Sequence, residues 1–352
     1  MDPADSLLNF FQSRYTQKTA YPALAAQWEL WSRTKPLQGV KVLDGTPLFF
    51  NTFGKYTGLL LAGAELTVAY SPELPYAPEA LALLASFGVP TVKSPGRESG
   101  TYDVVLDCAG LYQWVPSRFG YAELTRSGIH MYQGRDVPLF AVDSGRIKQI
   151  ETCLGTGESC LRALRHLGYR EWDRVPVLQF GYGKVGRGIA MYLRDAGADV
   201  TVVDKKTVPV MPGIRRIDME DTDAVRSAID NTQWIIAVTG VPAVLAPYVE
   251  PMRNSQALLV NMGALDEFGD AMPPERVLYG KQPLNFMLDE PTELRYIDVT
   301  MALDNAAAEY LYNGGTPRQN GVILPPEELE NMLLKPVFET NLIADEIRKA
   351  GI

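Results

Sequence analysis

Three glycines in the second half of the chain have a spacing that suits contact with phosphate. The stretch GYGKVG at residues 181–186 follows an apolar run and precedes a segment whose apolar positions repeat at helical spacing. In such a turn Gly181 permits the sharp change of direction, Gly183 lets a pyrophosphate approach the backbone, and Gly186 allows close packing of helix on strand. The helix would present free amides and the positive end of its dipole to the phosphates. The sequence therefore predicts a dinucleotide-binding turn.

An acidic residue ends the strand that is predicted after that helix. Residues 200–203 are Val-Thr-Val-Val, and Asp204 follows them, 18 residues after Gly186. A carboxylate at this place accepts hydrogen bonds from ribose hydroxyls and repels a 2′-phosphate, so we predict NAD rather than NADP as the cofactor. Lys205 and Lys206 come directly after the acid and weaken this preference.

The composition is that of an ordinary globular chain with two domains. Of 352 residues, 46% are hydrophobic and 21% are charged, which is enough apolar material for two cores. The net charge of -9 disfavours binding to nucleic acid or to anionic membranes. With two histidines and three cysteines that form no CxxC pair, no metal site is predicted. No apolar stretch reaches the ~20 residues of a membrane span and no signal peptide is recognisable, so we expect a cytoplasmic protein.

Two series of predicted strands and helices follow one another along the chain. After a helix predicted over residues 1 to about 35, the first β runs lie at 40–43, 66–69, 89–92, 104–106 and 139–142. A helix at 156–167, with His166 on its solvent face, leads to the second series at 175–180, 200–203, 234–238 and 258–260. Strands separated by helices in this way are typical of parallel βαβ units.

We therefore predict an α/β fold class with two α/β domains and a cleft between them. The first, residues 1–150, would be a substrate domain completed by a C-terminal helix at 326–352. The second, residues 151–325, would be a Rossmann dinucleotide-binding domain. Ligands of such folds bind beyond the carboxyl ends of the strands, so the reacting groups should lie there.

Residues 143–204 closely resemble the S-adenosylhomocysteine hydrolase family. In that family an Asn-Asp-Ser segment leads to Gly-x-x-Glu-Ser and then to Gly-Tyr-Gly-x-Val-Gly-x-Gly. This chain has DS at 143–144, GTGES at 155–159 and GYGKVGRG at 181–188. Weaker matches fall at residues 61–66, 106–107, 125–130, 239–240 and 261–263, so the resemblance covers most of the chain.

The resemblance implies a bound NAD and extends the set of predicted cofactor contacts to the loops after two later strands. The predicted contacts are Gly181, Gly183, Lys184, Val185, Gly186, Asp204, Thr239, Gly240, Asn261 and Met262.

The departures from the family fall on its catalytic side chains. The family's Lys and Asp, four residues apart, correspond here to Ile147 and Glu151, with Lys148 one place away. Its Asn-Ile-Gly-His ends here in Ala264, and the second Asp of its Asp-Asp-Gly-Gly is Cys108. The His of its Met-Gly-His-Pro falls at about Leu303, and its His-x-Thr-x-Glu-Thr segment aligns with PLFFNT at residues 47–52. The resemblance shows no match for its Lys- and Tyr-bearing C-terminal tail. We therefore predict different chemistry on the same scaffold and do not expect hydrolysis of S-adenosylhomocysteine itself.

Four residues are the candidates for acid–base catalysis. Lys148 and Glu151 precede the helix that bridges the predicted domains, although a surface salt bridge would explain them equally well. Asp304 lies where the family's segment returns to the cofactor, although it could instead cap a helix starting at Ala306. His130 follows a strand-like run and could transfer a proton or be a structural histidine.

The leading functional hypothesis is an NAD-dependent oxidoreductase acting on a small polar metabolite, with the chain assembled as a homodimer. One alternative is a hydrolase or lyase that oxidises its substrate transiently and then returns the hydride. Another is a non-catalytic regulator that binds NAD and signals through a partner. The sequence alone does not identify the substrate.

Overall fold

The computed structural model describes residues 2–205 and 209–352 and divides the chain into two compact units. The first unit comprises Met1–Lys148 and Glu293–Asp345, and the second comprises Gln149–Thr292 and Glu346–Ile352. Each unit is built on its own parallel sheet with helices in the connections. The predicted fold class, two α/β domains of which one is a Rossmann fold, is confirmed.

The helices connect the strands of both units. In chain order they are α1 (Pro3–Arg14), α2 (Pro22–Thr34), α3 (Phe53–Leu61), α4 (Pro78–Ser86), α5 (Arg126–Met131), α6 (Ile147–Gln149), α7 (Thr156–His166), α8 (Lys184–Asp195), α9 (Thr222–Asp230), α10 (Val249–Asn254), α11 (Leu294–Tyr312), α12 (Glu327–Thr340) and α13 (Ala344–Ala350). A π-helical turn, Ile150–Gly155, lies between α6 and α7.

The strands fall into two groups. They are β1 (Lys41–Asp44), β2 (Glu65–Tyr70), β3 (Thr91–Lys93), β4 (Tyr102–Asp107), β5 (Ser117–Glu123), β6 (Pro138–Ala141), β7 (Pro176–Phe180), β8 (Asp199–Asp204), β9 (Arg215–Asp218), β10 (Trp234–Ala237), β11 (Leu258–Asn261), β12 (Val277–Leu278) and β13 (Gly321–Ile323).

Both sheets are parallel and doubly wound. In the second unit the strand order is β12-β11-β10-β7-β8-β9, which is the order of a Rossmann fold, and it reverses between β7 and β10. In the first unit the order is β13-β6-β5-β4-β1-β2-β3, and the reversal falls between β1 and β4. Ligands of such sheets bind at the carboxyl ends of the strands next to the reversal. The topology therefore points to one ligand-binding edge in each unit.

Apolar residues cover both faces of the second sheet. One core contains residues such as Leu193, Val200 and Trp234, and the other contains Phe180, Ile235 and Leu259. The central strands β10 and β11 are almost entirely apolar, because parallel strands are buried on both faces. Among the described residues, no helix is long and apolar enough to cross a membrane.

The predicted domain boundary at residue 325 is wrong, because residues 293–325 belong to the first unit. Polar side chains attach α11 to this unit. The carboxylate of Asp298 accepts hydrogen bonds from the backbone N–H groups of Ala23 (2.8 Å) and Leu24 (2.9 Å), in the first turn of α2. Gln27 of α2 in turn donates to the carbonyl of Ala302 at 2.8 Å. At the other end, α12 lies in the first unit as predicted, but residues 346–352 belong to the second.

The single helix predicted over residues 1–35 is also wrong. Two helices, α1 and α2, are separated by residues 15–21, and α2 begins at Pro22. Proline is favoured in the first turn of a helix, where its missing N–H costs nothing, but it interrupts a longer one. Strands β5, β9, β12 and β13 were not predicted. The last three are only two to four residues long, and the apolar pattern of β5 is interrupted by Arg118 and Gly120.

The cap that Asp298 provides is testable by substitution. Asp298→Ala would leave the two buried N–H groups of α2 without an acceptor, so we expect the free energy of unfolding to fall by about 2–4 kcal/mol. Asp2→Ala is the matched control, because Asp2 caps α1 at its exposed start and its loss should cost only about 1 kcal/mol. Urea unfolding followed by circular dichroism measures both. Equal losses in the two variants would contradict the role given to Asp298.

Candidate functional site

The predicted dinucleotide-binding turn lies between β7 and α8, at the carboxyl edge of the second sheet. Gly181 has a φ of +99°, in the left-handed region that glycine adopts without strain. A Cβ atom at this position would lie 2.5 Å from the carbonyl oxygen of Val238, directly after the neighbouring strand β10. Gly181 therefore lets the connections after β7 and β10 pass close to each other at the strand-order reversal.

The other two glycines of the turn differ in what surrounds them. A Cβ atom on Gly186 would lie 2.3 Å from the carbonyl oxygen of Gly181, so the first turn of α8 packs directly on the loop. Gly183 is exposed, and a Cβ atom there would meet nothing within 4 Å. The protein's own packing requires Gly181 and Gly186, whereas Gly183 faces open space and its contact with a cofactor stays a prediction.

A buried side chain that was not predicted from the sequence holds this turn in place. Gln179, in β7, donates from Nε2 to the carbonyl oxygens of Gly181 (2.7 Å) and Gly186 (2.8 Å). The only signal in the sequence was one polar residue within the apolar run of the strand. By binding both ends of the loop, the amide fixes the conformation that the pyrophosphate would meet.

Asp204 ends β8, as predicted, and contacts the same turn. Its Oδ2 accepts a hydrogen bond from the backbone N–H of Tyr182 at 2.6 Å. Arg216 of β9 donates to the backbone carbonyl of Asp204 at 3.4 Å, so one cation lies close to the acid. Lys205 is exposed, and Lys206 lies outside the described residues.

The loop after β10 is held by a second buried acid, Glu267. Its Oε2 accepts from the backbone N–H (2.7 Å) and the hydroxyl (2.8 Å) of Thr239, and its Oε1 accepts from the N–H of Gly240 (2.7 Å). Burial raises the pKa of Glu267. Thr239 and Gly240 thus lie at the strand-order reversal in a fixed conformation, which suits the cofactor contact predicted for them.

The loop after β11 depends on Asn261 in a similar way. Its Nδ2 donates to the carbonyl oxygens of Gly263 (3.1 Å), Leu265 (3.0 Å) and Lys281 (2.7 Å). Met262 is buried within the core. Asn261 therefore organises the loop and Met262 packs in the core, and contact of either residue with a cofactor stays a prediction.

The start of α8 fits the pyrophosphate of a dinucleotide. Gly183 is the N-cap residue, and in the part of the chain that the structure describes no side chain caps this helix. Lys184 and Val185 form its half-buried first turn. The first amides of a helix have no partner within the helix and carry its positive dipole end, so an anion at Gly183 would receive them.

The first unit has a polar cluster of its own at the reversal between β1 and β4. Lys55 of α3 is fully buried, and its ammonium donates to Asp44, the last residue of β1. The same Nζ lies 3.0 Å from Oδ2 of Asp304, on α11. Burial lowers the pKa of Lys55, while Asp304 favours its charged form. We call Asp44, Lys55 and Asp304 the buried triad.

Several buried hydroxyl groups of the first unit have no hydrogen-bond partner among the described residues. The hydroxyls of Thr46, Tyr56 and Tyr112 are buried and form no hydrogen bond with any described residue. Thr46 and Tyr112 line a cavity of about 10 Å³ beyond the ends of β1 and β2, a volume close to that needed for one water molecule. Buried polar atoms normally have partners, so a water molecule or a single polar atom of a ligand in this cavity would satisfy the hydroxyls that line it.

Two further acids, at the ends of β4 and β5, hold the loop that follows β4. Asp107 accepts hydrogen bonds from the N–H groups of Cys108 (2.7 Å) and Tyr112 (3.0 Å). Glu123 accepts from the N–H groups of Ala109 (3.0 Å) and Gly110 (3.0 Å). Burial raises the pKa of both carboxyl groups. These acids shape the loop beside the buried triad.

Two of the four predicted catalytic residues, Lys148 and Asp304, lie in the first unit. Both are buried, and both act on the buried thiol of Cys108. Burial raises the pKa of this thiol, Glu123 and Asp304 raise it further, and Lys148 lowers it. The charges of Lys148 and Asp304 therefore both influence Cys108, and their roles in a reaction remain a prediction.

The other two candidates lie elsewhere. Glu151 is half-buried in the second unit, on the π-helical turn that precedes α7, a type of turn frequent at functional sites. His130 is exposed near the end of α5 and contacts Gln133 at 3.3 Å. The interpretation of Asp304 as a helix cap is wrong, because α11 starts at Leu294 and Asp304 lies buried in its interior.

Comparison with known proteins places the second unit in a recognised class. Residues 171–274 match a family model described as "Putative NAD(P)-binding". This segment contains the turn at Gly181–Gly186, Asp204 and the loops after β10 and β11. The prediction that the chain binds NAD is confirmed at the level of an NAD(P)-binding domain.

The chain as a whole resembles adenosylhomocysteinases. S-inosyl-L-homocysteine hydrolase of Methanopyrus kandleri is 23% identical over 91% of this chain and 87% of its own length. Adenosylhomocysteinase of Thermococcus kodakarensis is 23% identical over 86% of this chain and 83% of its own. Among solved structures, a dipicolinate synthase subunit from Bacillus halodurans is 12% identical with a TM-score of 0.49, covering 78% of this chain and 99% of that one. The predicted family resemblance is confirmed.

The different surroundings of the three glycines give a testable contrast. Gly183→Ala adds a Cβ where the fold has room, so stability should be unchanged while NADH binding weakens, because the methyl group occupies the space left for the pyrophosphate. Gly186→Ala adds a Cβ 2.3 Å from a carbonyl oxygen, so it should lower the melting temperature. Thermal unfolding and NADH fluorescence titration separate the two effects. A Gly183→Ala variant that binds NADH like the unmodified chain would contradict the placement of the cofactor.

Proposed function

We propose that this protein is an NAD-dependent oxidoreductase on an adenosylhomocysteinase-like scaffold and that its substrate is a small polar metabolite. The observation that supports the proposal most directly is the turn at residues 181–186. Gln179 and Asp204 fix it, and Gly183 leaves it open to a pyrophosphate. NAD bound there supplies hydride transfer.

We assign substrate binding to the first unit. The buried triad is held at the strand-order reversal, where ligands of doubly wound sheets bind, and the hydroxyls of Thr46, Tyr56 and Tyr112 lack partners among the described residues. In this proposal these hydroxyls donate to and accept from polar groups of the substrate. The ammonium of Lys55 lies between two carboxylates and cannot move without leaving a buried charge unpaired. The triad therefore holds its charged groups in fixed positions at this edge of the sheet.

Proton transfer is assigned to Lys148 in this proposal. Its side chain is buried, and its charge lowers the pKa of the Cys108 thiol, which Asp304 raises. A lysine at such a place can hold or release a proton at a reacting hydroxyl. Asp304 is a positioning residue, since its carboxylate faces Lys55.

A second candidate function is hydrolysis or elimination that uses NAD only transiently. Two relatives that each cover most of this chain bear the names S-inosyl-L-homocysteine hydrolase and adenosylhomocysteinase. In such a reaction NAD is regenerated within each turnover, so no reduced cofactor accumulates. The replaced acid–base residues favour the first candidate, because a changed set of proton-transfer groups indicates changed chemistry.

Turnover with a panel of nucleosides and amino acid derivatives distinguishes the candidates. The purified chain and NAD are mixed with each compound, the absorbance of reduced nicotinamide is followed, and products are identified by mass spectrometry. We expect reduced cofactor to form in step with product. Product without reduced cofactor would favour the second candidate, and a protein that turns over no compound and also fails to bind NAD would overturn both.

Asp204 should set the choice between NAD and NADP. Asp204→Asn removes the charge but keeps an oxygen that can accept from the N–H of Tyr182. We expect the preference for NADH over NADPH to narrow by about tenfold, equivalent to ~1.4 kcal/mol, because the repulsion of the 2′-phosphate is lost. Asp199→Asn, at the start of the same strand β8, is the control. An unchanged preference in Asp204→Asn would show that another residue reads the ribose.

The buried triad allows structural and functional roles to be separated. Lys55→Met leaves two buried carboxylates without a cation and should cost about 3–5 kcal/mol of unfolding free energy. The triple variant Asp44→Asn, Lys55→Met, Asp304→Asn buries no net charge and should recover most of that loss. Lys41→Met, on an exposed position of β1, is the control in urea unfolding.

Turnover of these variants then tests the proposed site. The triple variant should bind NADH normally, because the cofactor turn lies in the other unit, but should lose turnover of any compound that the unmodified chain converts. Full turnover in the triple variant would show that the buried triad serves the fold alone.

A further inference from the structure

A pocket in the second unit lies away from the dinucleotide turn and is lined by cations. Its volume is about 650 Å³, and its lining residues are Arg162, Arg165, His166, Arg170, Met287, Leu288 and Asp289. Arg162, Arg165 and His166 follow a spacing of three and four residues on α7, which puts them on one face of the helix. Their face is opposite the one that packs Cys160 and Leu164 into the core. We call this the arginine pocket.

The arginine pocket and the dinucleotide-binding turn lie at different ends of helix α7. A Cβ atom on Gly157, in the first turn of α7, would lie 2.5 Å from the backbone of Gly188 in α8. The start of α7 is therefore beside the helix that carries the dinucleotide turn. Nine residues further along, His166 is about 14 Å away along the helix axis. The arginine pocket lies around that far end, before β7 begins.

One wall of the arginine pocket is rigid. Arg162 donates from Nε to the carboxylate of Glu158 (3.0 and 3.1 Å) and from Nη1 and Nη2 to the carbonyl oxygen of Glu290 (3.1 Å each). The guanidinium is thus fixed in orientation, and its charge is largely balanced by Glu158. Because the Arg162 side chain is already held in one orientation, it would lose little conformational entropy when a ligand binds beside it.

Two charges of the arginine pocket are not balanced. Within residues 2–205 and 209–352, Arg165 and Arg170 form no ion pair or hydrogen bond, although the chain as a whole has a net charge of -9. Basic residues in the last turn of a helix complement its dipole, which explains Arg165. The helix dipole does not explain Arg170, which lies beyond the end of α7. Nor does it explain why Arg165 and Arg170 line the same pocket.

The remaining lining residues narrow the ligand class. Met287 and Leu288 give the pocket an apolar part, and Asp289 places a carboxylate on its lining. Two unbalanced guanidinium groups match a doubly charged phosphate, whose oxygens accept from their paired N–H donors. A carboxylate on the lining accepts from a hydroxyl and repels a second anionic group, and the overall negative charge disfavours a polyanion such as nucleic acid.

We propose that the arginine pocket binds a small phosphorylated polyol, with its phosphate at Arg165 and Arg170 and a hydroxyl at Asp289. This is a second ligand site, and it does not depend on the proposed oxidoreductase function. His166, expected from the sequence to be exposed, is exposed and contributes a further hydrogen-bonding group to the same wall.

Calorimetric titration with glycerol phosphate tests the proposal, with glycerol as the neutral probe. Saturating NAD is present so that the dinucleotide turn does not take up the phosphate. At low salt we expect saturable binding of one glycerol phosphate per chain, weakening as salt is added, and no binding of glycerol. The double variant Arg165→Gln, Arg170→Gln should weaken the affinity by about tenfold or more.

The control variant removes the same charge elsewhere. Arg126→Gln with Lys35→Gln changes two exposed cations of the first unit and should bind glycerol phosphate like the unmodified chain. Because Arg165 and Arg170 are exposed, the double variant should unfold at the same temperature as the control and bind NADH equally well. Absence of saturable binding to the unmodified chain, or equal affinity in the two double variants, would overturn the proposal.

Discussion

Parallel strands impose a constraint on which both candidate sites depend. All strands of a parallel sheet end at the same edge, and where the strand order reverses, the connections after two adjacent strands leave in opposite directions. The backbone N–H and C=O groups of these connections have no neighbouring strand to which they can hydrogen-bond. Buried side chains or a bound ligand must therefore supply their hydrogen-bond partners. In this chain the reversal falls between β7 and β10 in one unit and between β1 and β4 in the other.

The two units meet this constraint by the same means. Buried polar side chains accept from or donate to the loop backbone: Gln179 and Glu267 in the second unit, Asp107 and Glu123 in the first. Each lies close to a strand end, and each fixes a loop that would otherwise be mobile. Rigid loops at both edges allow cofactor and substrate groups to be held without a large loss of entropy on binding.

The sequence predicted those features that depend on neighbouring residues. The turn at Gly181–Gly186 and the acid at Asp204 are recognisable because a strand, three glycines, a helix and an acid follow one another along the chain. The alternation of strands and helices gave the fold class for the same reason. The position of α11 could not be predicted, because it depends on Asp298 binding N–H groups that are 274 and 275 residues away in the chain.

The buried triad shows the same limit. Lys55 stands alone among apolar and small residues of α3, and a single lysine in a helix is ordinarily exposed. Its burial becomes intelligible only when Asp44 and Asp304, from a strand and a distant helix, are seen to contact it. Asp304 was selected for its place in the family resemblance, and Gln179 and Glu267 were missed because one buried polar residue in or near a strand has no distinctive pattern.

Native mass spectrometry of the purified full chain tests the central claim most directly, that this scaffold uses NAD. The protein is sprayed as isolated and again after incubation with NAD or NADP. We predict that each chain carries one NAD, either retained from the cells or taken up on incubation, in preference to NADP. A chain that takes up neither dinucleotide while remaining folded would contradict this claim.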